Sequence, residues 1–108
     1  MSRQMEALLM LANFRSIKDI LMPIIDPEKE EIHWDRLEYG VLSGGQKAAI
    51  SWAWCIWSDK QTPTENKHGD PNYCIFDGKP RDPFEGFGVM DRELQTLIAK
   101  ALLHRYSG

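Results

Sequence analysis

Few side chains in this sequence could bind a metal ion or act as a nucleophile. They comprise three histidines and two cysteines, namely His33, His68, His104, Cys55 and Cys74. Zinc ligands usually occur in pairs separated by about two to four residues, and none of these five has a neighbour at such a spacing. We therefore expect no metal ion, and nothing in the pattern indicates a cofactor.

Cys74 and His68 form the candidate pair for nucleophilic catalysis. A cysteine attacks as its thiolate, which requires a nearby base or a lowered pKa. Tyr73 and Ile75 flank Cys74, and this pattern is typical of a half-buried strand, so an inert thiol is favoured. The alternative hypothesis is a small enzyme or ligand-binding domain whose site, near His68, Asp70 and Cys74, lies under a loop.

Residues 42–47, Leu-Ser-Gly-Gly-Gln-Lys, resemble the signature sequence of the ATP-binding cassette ATPases, which caps a helix and contacts nucleotide. Those ATPases also need a Gly-rich phosphate loop ending in Gly-Lys-Ser or Gly-Lys-Thr, and this sequence has none. Their magnesium-binding strand ends in Asp-Glu, whereas residues 75–78 read Ile-Phe-Asp-Gly. We interpret 42–47 as a helix start instead, because Ser43 and Gln46 have the spacing of a capping box.

The composition favours a single globular domain over residues 1–108. Of the 108 residues 43% are hydrophobic and 27% are charged, which is close to the average for globular proteins. The net charge of −3 and the dispersed basic residues argue against direct nucleic-acid binding. The longest apolar runs, 7–12 and 52–57, are far too short for a membrane span of about 20 residues. With no signal peptide recognised, a soluble, cytoplasmic protein is expected.

Three segments have the apolar spacing of helices, which predicts a mainly α fold. The first covers 5–22, begins after an N-cap at Ser2, and ends before Pro23, with a break into two short helices at Asn13 as an alternative. The last is capped by Asp91 and ends near Tyr106, and it places Tyr106 in its apolar stripe and Arg105 toward solvent. Between them, 26–30 is expected to be a solvated turn, and 35–39 to form one or two helical turns closed by Gly40.

The central segment, 43–57, is the most informative. Its capping box and alanines favour a helix, although a buried strand is the alternative because Ile and Trp favour sheets. Since 52–57 is apolar on all sides, the helix should be buried. Trp52 and Trp54 lie on different faces, so either the core takes both rings or one face binds a partner, including a second copy of this chain.

Residues 58–89 form a long Pro- and Gly-rich loop between the helical parts, 3–57 and 90–106. We expect it to be ordered and to contain a short β-hairpin near 73–78. With no reactive cluster evident, the sequence indicates a small acidic protein-binding module without enzymatic activity. This description fits an inhibitor, adaptor or immunity-type protein of a phage or plasmid. Its partner could be a nucleic-acid enzyme whose substrate site is basic. The predicted contact residues are Asp70, Asp77, Arg81, Asp82, Phe84, Glu85 and Phe87.

Overall fold

A computed structural model describes residues 1–37, 41–59, 83–88 and 90–107, and it confirms a mainly α fold. Five α-helices and a two-stranded sheet occur within these residues. In chain order they are α1 (Arg3–Ala12), α2 (Lys18–Leu21), β1 (Ile25–Asp26), β2 (Glu31–Ile32), α3 (Gly44–Ser58), α4 (Pro83–Phe87) and α5 (Arg92–Tyr106), with 3₁₀ turns at Met22–Ile24 and Trp34–Arg36.

The first predicted helix is divided at Asn13, as the alternative interpretation had it. Helix α1 is capped by Ser2, whose hydroxyl accepts a hydrogen bond from the backbone N–H of Met5 at 3.2 Å. It ends where the side-chain amide of Asn13 donates to the carbonyl of Leu9 at 2.7 Å. This bond competes with helix propagation, and the chain turns before α2 begins. Pro23 lies in the 3₁₀ turn that follows α2.

The predicted turn at 26–30 connects two short antiparallel strands. Ile25 pairs with Ile32, and Asp26 pairs with Glu31. The Asp26 carboxylate accepts from the backbone N–H of Lys29 at 3.2 Å, which stabilises the turn. The segment 73–78, for which a hairpin was predicted, lies outside the described residues. Of the predicted helical turns at 35–39, the structure shows the 3₁₀ turn Trp34–Arg36, while residues 38–40, including the predicted cap at Gly40, lie outside the described residues.

Helix α3 confirms the capping-box prediction. The hydroxyl of Ser43 accepts from the backbone N–H of Gln46 at 3.2 Å, and the Gln46 side-chain oxygen accepts from the backbone N–H of Ser43 at 3.0 Å. Residues 48–56 of this helix are all buried. The segment is therefore helical and lies in the core, and the strand alternative is wrong.

The core is formed where α1, α3 and α5 meet. Helix α1 packs against α5 and α3, and α3 also packs against α4. Helix α5 is capped by Asp91, whose carboxylate accepts from the backbone N–H of Glu93 at 2.9 Å. The largest fully buried side chains are Met5, Leu8, Leu11, Ile17, Leu21, Ile50, Ile56 and Ile98.

Two predicted boundaries need correction. The segment 58–89 was expected to be a loop with a short β-hairpin, but α3 continues to Ser58 and residues Pro83–Phe87 are helical. Proline is favoured in the first turn of a helix because its missing N–H would have had no partner there. Gly86 and Gly88 disfavour a helix, so the proline in the first turn was not recognised as a helix start.

Candidate functional site

The short helix α4 carries two phenylalanines that both contact Trp52 of α3. The ring centroids of Phe84 and Trp52 are 4.9 Å apart at an interplanar angle of 77°, and those of Phe87 and Trp52 are 5.6 Å apart at 60°. Both are edge-to-face arrangements, which aromatic rings prefer over direct stacking. Trp52 is 6% exposed, whereas Phe84 is 69% exposed. One ring of this cluster therefore projects from the protein while its edge contact holds it in place.

Two hydrogen bonds to the carbonyl of Phe87 fix the end of α4 on the protein core. The side-chain amide of Gln95, in α5, donates to the carbonyl of Phe87 at 2.6 Å. The backbone N–H of Met90 donates to the same carbonyl at 3.3 Å. Because Phe87 is itself half-buried against the core, it anchors α4 and leaves Phe84 at the surface.

Of the seven predicted contact residues, the structure brings Phe84 and Phe87 together. Asp70, Asp77, Arg81 and Asp82 lie outside the described residues, and for Glu85 the structure describes only its place in α4. His68 and Cys74, the pair on which the enzyme alternative depends, also lie outside them. Those parts of the sequence analysis stay predictions.

The tryptophans of α3 belong to the core. Trp54 is 4% exposed, and it meets Trp34, which is 3% exposed, edge-to-face with centroids 5.6 Å apart. Cys55 is buried beside them, as predicted. Trp57 is half-buried. A homo-oligomer formed through this helix stays a prediction, and Trp57 is the tryptophan of α3 that could take part in it.

A second surface feature, which the sequence analysis missed, lies where the turn after α1 approaches α5. It is an open groove of about 390 Å³ lined by Phe14, Arg92, Glu93, Thr96, Leu97 and Lys100. Arg92, Thr96 and Lys100 follow one another at intervals of four residues, a spacing that places them on one side of a helix. This spacing was visible in the sequence, but the approach of Phe14 was not.

The last turn of α5 is attached to the end of α3. The guanidinium Nε of Arg105 donates to the carbonyl of Ile56 at 3.0 Å, and the Tyr106 hydroxyl donates to the Asp59 carboxylate. This hydrogen bond raises the pKa of Tyr106 above its ordinary value. Arg105 was predicted to face solvent and Tyr106 to join the apolar stripe. Both expectations are wrong, since Arg105 is half-buried and Tyr106 is 56% exposed.

His104 pairs across the helices with Glu6 of α1. The distance from His104 Nε2 to Glu6 Oε1 is 3.1 Å. Near this end of α5, an open apolar groove of about 430 Å³ is lined by Leu102, Leu103, Tyr106 and Ser107.

Neither a metal cluster nor a membrane helix occurs in the described parts of the chain. No group of three or more His, Cys, Asp or Glu side chains is placed there to hold a metal ion. Among the same residues, every helix falls short of the length and apolarity that crossing a bilayer requires. Comparison of the chain with protein-family models, with curated proteins and with solved structures finds no match.

Proposed function

We propose that this protein is a non-enzymatic protein-binding module that inserts the Phe84 ring into an apolar pocket of a partner protein. The observation that carries the proposal is the contrast within one aromatic pair: Phe84 is 69% exposed, while Trp52, whose ring it contacts at 4.9 Å, is buried. Large exposed aromatic side chains supply much of the binding energy of protein interfaces.

The contact with Trp52 holds the Phe84 ring in place before a partner binds. Immobilising a flexible side chain at an interface costs about 0.5–1.5 kcal/mol. A ring that is already held by its neighbour loses less conformational freedom when it binds. Phe84 is thus suited to act as an anchor, because the free protein already holds it close to a protruding position.

The net charge of the protein indicates the chemistry of the partner. The whole chain has a net charge of −3, whereas the charges close to Phe84 in the sequence cancel, since Lys79 and Arg81 balance Asp82 and Glu85. A partner with a basic surface would attract this acidic protein, and complementary charge increases the association rate. The basic substrate site of a nucleic-acid enzyme has this chemistry, which supports the role of an inhibitor, adaptor or immunity-type protein.

Site-specific photo-crosslinking in the native host tests the proposal. A benzoylphenylalanine replaces Phe84 in one variant and Leu103 in a control, because the two side chains are both 69% exposed. We expect one predominant crosslinked protein from position 84 and not from position 103. Equal crosslinking from both positions, or none from position 84, contradicts the proposal.

Affinity for the crosslinked protein provides the quantitative measurement. With both proteins purified, Phe84→Ala should weaken binding at least tenfold, and Leu103→Ala should change it by less than twofold. Binding should also weaken as salt increases, since opposite charges attract less when screened. An unchanged dissociation constant for Phe84→Ala, with the fold confirmed by circular dichroism, overturns the proposal.

A further inference from the structure

We infer that the groove between the turn after α1 and helix α5 is a second docking site, and that its occupant is an acidic amphipathic segment of a partner protein. Such a segment carries an apolar side chain between two carboxylates. The inference does not depend on Phe84 and stands if the proposed function of Phe84 fails.

The floor of the groove is apolar and already partly shielded. Phe14 and Leu97 are both half-buried and packed against the core. Phe14 follows directly after Asn13, which ends α1. Its side chain lines the groove together with residues of α5. A volume of about 390 Å³ accommodates one or two large side chains of a partner.

The acidic side chains near the groove are neutralised from within the protein. Arg15 pairs with Asp91 at 3.3 Å and also with Glu93. Its guanidinium carbon lies 4.9 Å from the centroid of the Phe14 ring, a cation–π contact. Glu93 therefore adds little repulsion toward an incoming carboxylate.

The remaining charges of the groove are the cations Arg92 and Lys100. Both are exposed, and neither makes an ion pair with another described residue. They stand eight residues apart on α5, which corresponds to about 12 Å along the helix axis. Thr96 lies between them on the same side. Two carboxylates with a similar separation would meet both cations while an apolar side chain between them reaches Phe14 and Leu97.

The hydrogen bond to α4 and the floor of the groove involve different side chains of α5. Gln95 bonds to the carbonyl of Phe87 at the end of α4, whereas Leu97 lines the groove. Successive residues of an α-helix differ in direction by about 100°, so residues two positions apart differ by about 200°. The side chains of Gln95 and Leu97 are therefore about 160° apart around the helix axis. Two partners could occupy the surfaces at the same time.

A titration with a synthetic probe tests the inference. The probe is a fluorescein-labelled helical peptide of twelve residues with a central leucine and two glutamates eight positions apart, and its matched control has glutamine at both positions. We expect saturable binding of the Glu peptide, at least tenfold weaker binding of the Gln peptide, and amide shifts in the NMR spectrum centred on Phe14, Thr96 and Leu97.

Charge reversal identifies the cations. The double variant Arg92→Glu, Lys100→Glu should lose at least tenfold in affinity for the Glu peptide and gain affinity for a peptide with lysine at those positions. The control Lys29→Glu, Arg36→Glu changes the net charge equally at two exposed residues outside the groove, and it should change the affinity by less than twofold. Phe84→Ala should leave peptide binding unchanged.

Three results would overturn the inference. One is that the Glu peptide does not bind. Another is that the control variant loses as much affinity as the groove variant. The third is that the protein dimerises in a sedimentation experiment and that the double variant Arg92→Glu, Lys100→Glu abolishes the dimer. The occupant of the groove would then be a second copy of this chain.

Discussion

The hydroxyl of Tyr106, in the last turn of α5, donates a hydrogen bond to the carboxylate of Asp59, the residue that ends α3. Asp59 has a left-handed backbone with φ of 61°, a conformation common where helices end. The bond thus joins the ends of two core helices, and it raises the pKa of Tyr106.

This bond makes the stability of the fold sensitive to alkaline pH. Because the pKa of Tyr106 is higher in the folded protein, the bond's contribution is fully present below the unfolded pKa of about 10 and is lost as the pH rises through the folded pKa. We expect the free energy of unfolding of the wild type to fall more steeply above about pH 10 than that of Tyr106→Phe. Urea titrations across this range measure the difference, and Asp59→Asn should also flatten the slope. Parallel curves for wild type and Tyr106→Phe would show that the bond does not contribute.

We expect the capping box of α3 to stabilise the fold and the segment 42–47 not to bind nucleotide. Ser43→Ala leaves the N–H of Gln46 without its acceptor and should lower the free energy of unfolding by about 0.5–2 kcal/mol. Ser43→Gly is the matched control, since glycine at an N-cap costs only a few tenths of a kcal/mol. ATP with magnesium should leave the melting temperature of the wild type unchanged. A reproducible shift with ATP would restore the nucleotide-binding interpretation of residues 42–47.

The two rings of the Phe84–Trp52 pair should differ in what they contribute to stability. Truncating a buried tryptophan costs about 3–5 kcal/mol, so Trp52→Ala should destabilise the fold strongly or prevent folding. Phe84→Ala removes a side chain that is 69% exposed and should cost less than about 1 kcal/mol. Denaturant unfolding measures both. A large loss for Phe84→Ala would make this ring a structural residue.

A hydrogen bond to Glu30 makes the stability of the fold sensitive to acidic pH. The backbone N–H of Ser2 donates to its carboxylate, and this bond lowers the pKa of Glu30. The resulting contribution is present above the unfolded pKa of about 4.3 and is lost as the pH falls through the folded pKa. Glu30→Gln should therefore be less stable than the wild type at pH 7, with the gap closing in acid. Glu28→Gln is the control at an exposed neighbour, and an equal effect there would contradict the assignment.

The sequence predicts those parts of the fold that are set by neighbouring residues. The caps at Ser2, Ser43 and Asp91 each depend on a bond across two or three residues, and the structure confirms all three. The break at Asn13 is local in the same sense, because its side chain bonds to Leu9.

What the sequence does not predict depends on distant contacts. Helix α4 is one turn of a Pro- and Gly-containing segment, and it is stabilised by Trp52, more than thirty positions away along the chain. The groove requires Phe14 and Arg15 to meet residues of α5, as in the bond between Arg15 and Glu93. No pattern within a short window contains this information.

The residues on either side of the segment 60–82 both contact helix α3 or its end. Asp59 terminates α3 and is held by Tyr106, while α4 rests on Trp52, about two turns back along α3. The two ends of this stretch therefore meet α3 within about two turns of each other. That separation is the distance that any sequence between Asp59 and α4 has to span.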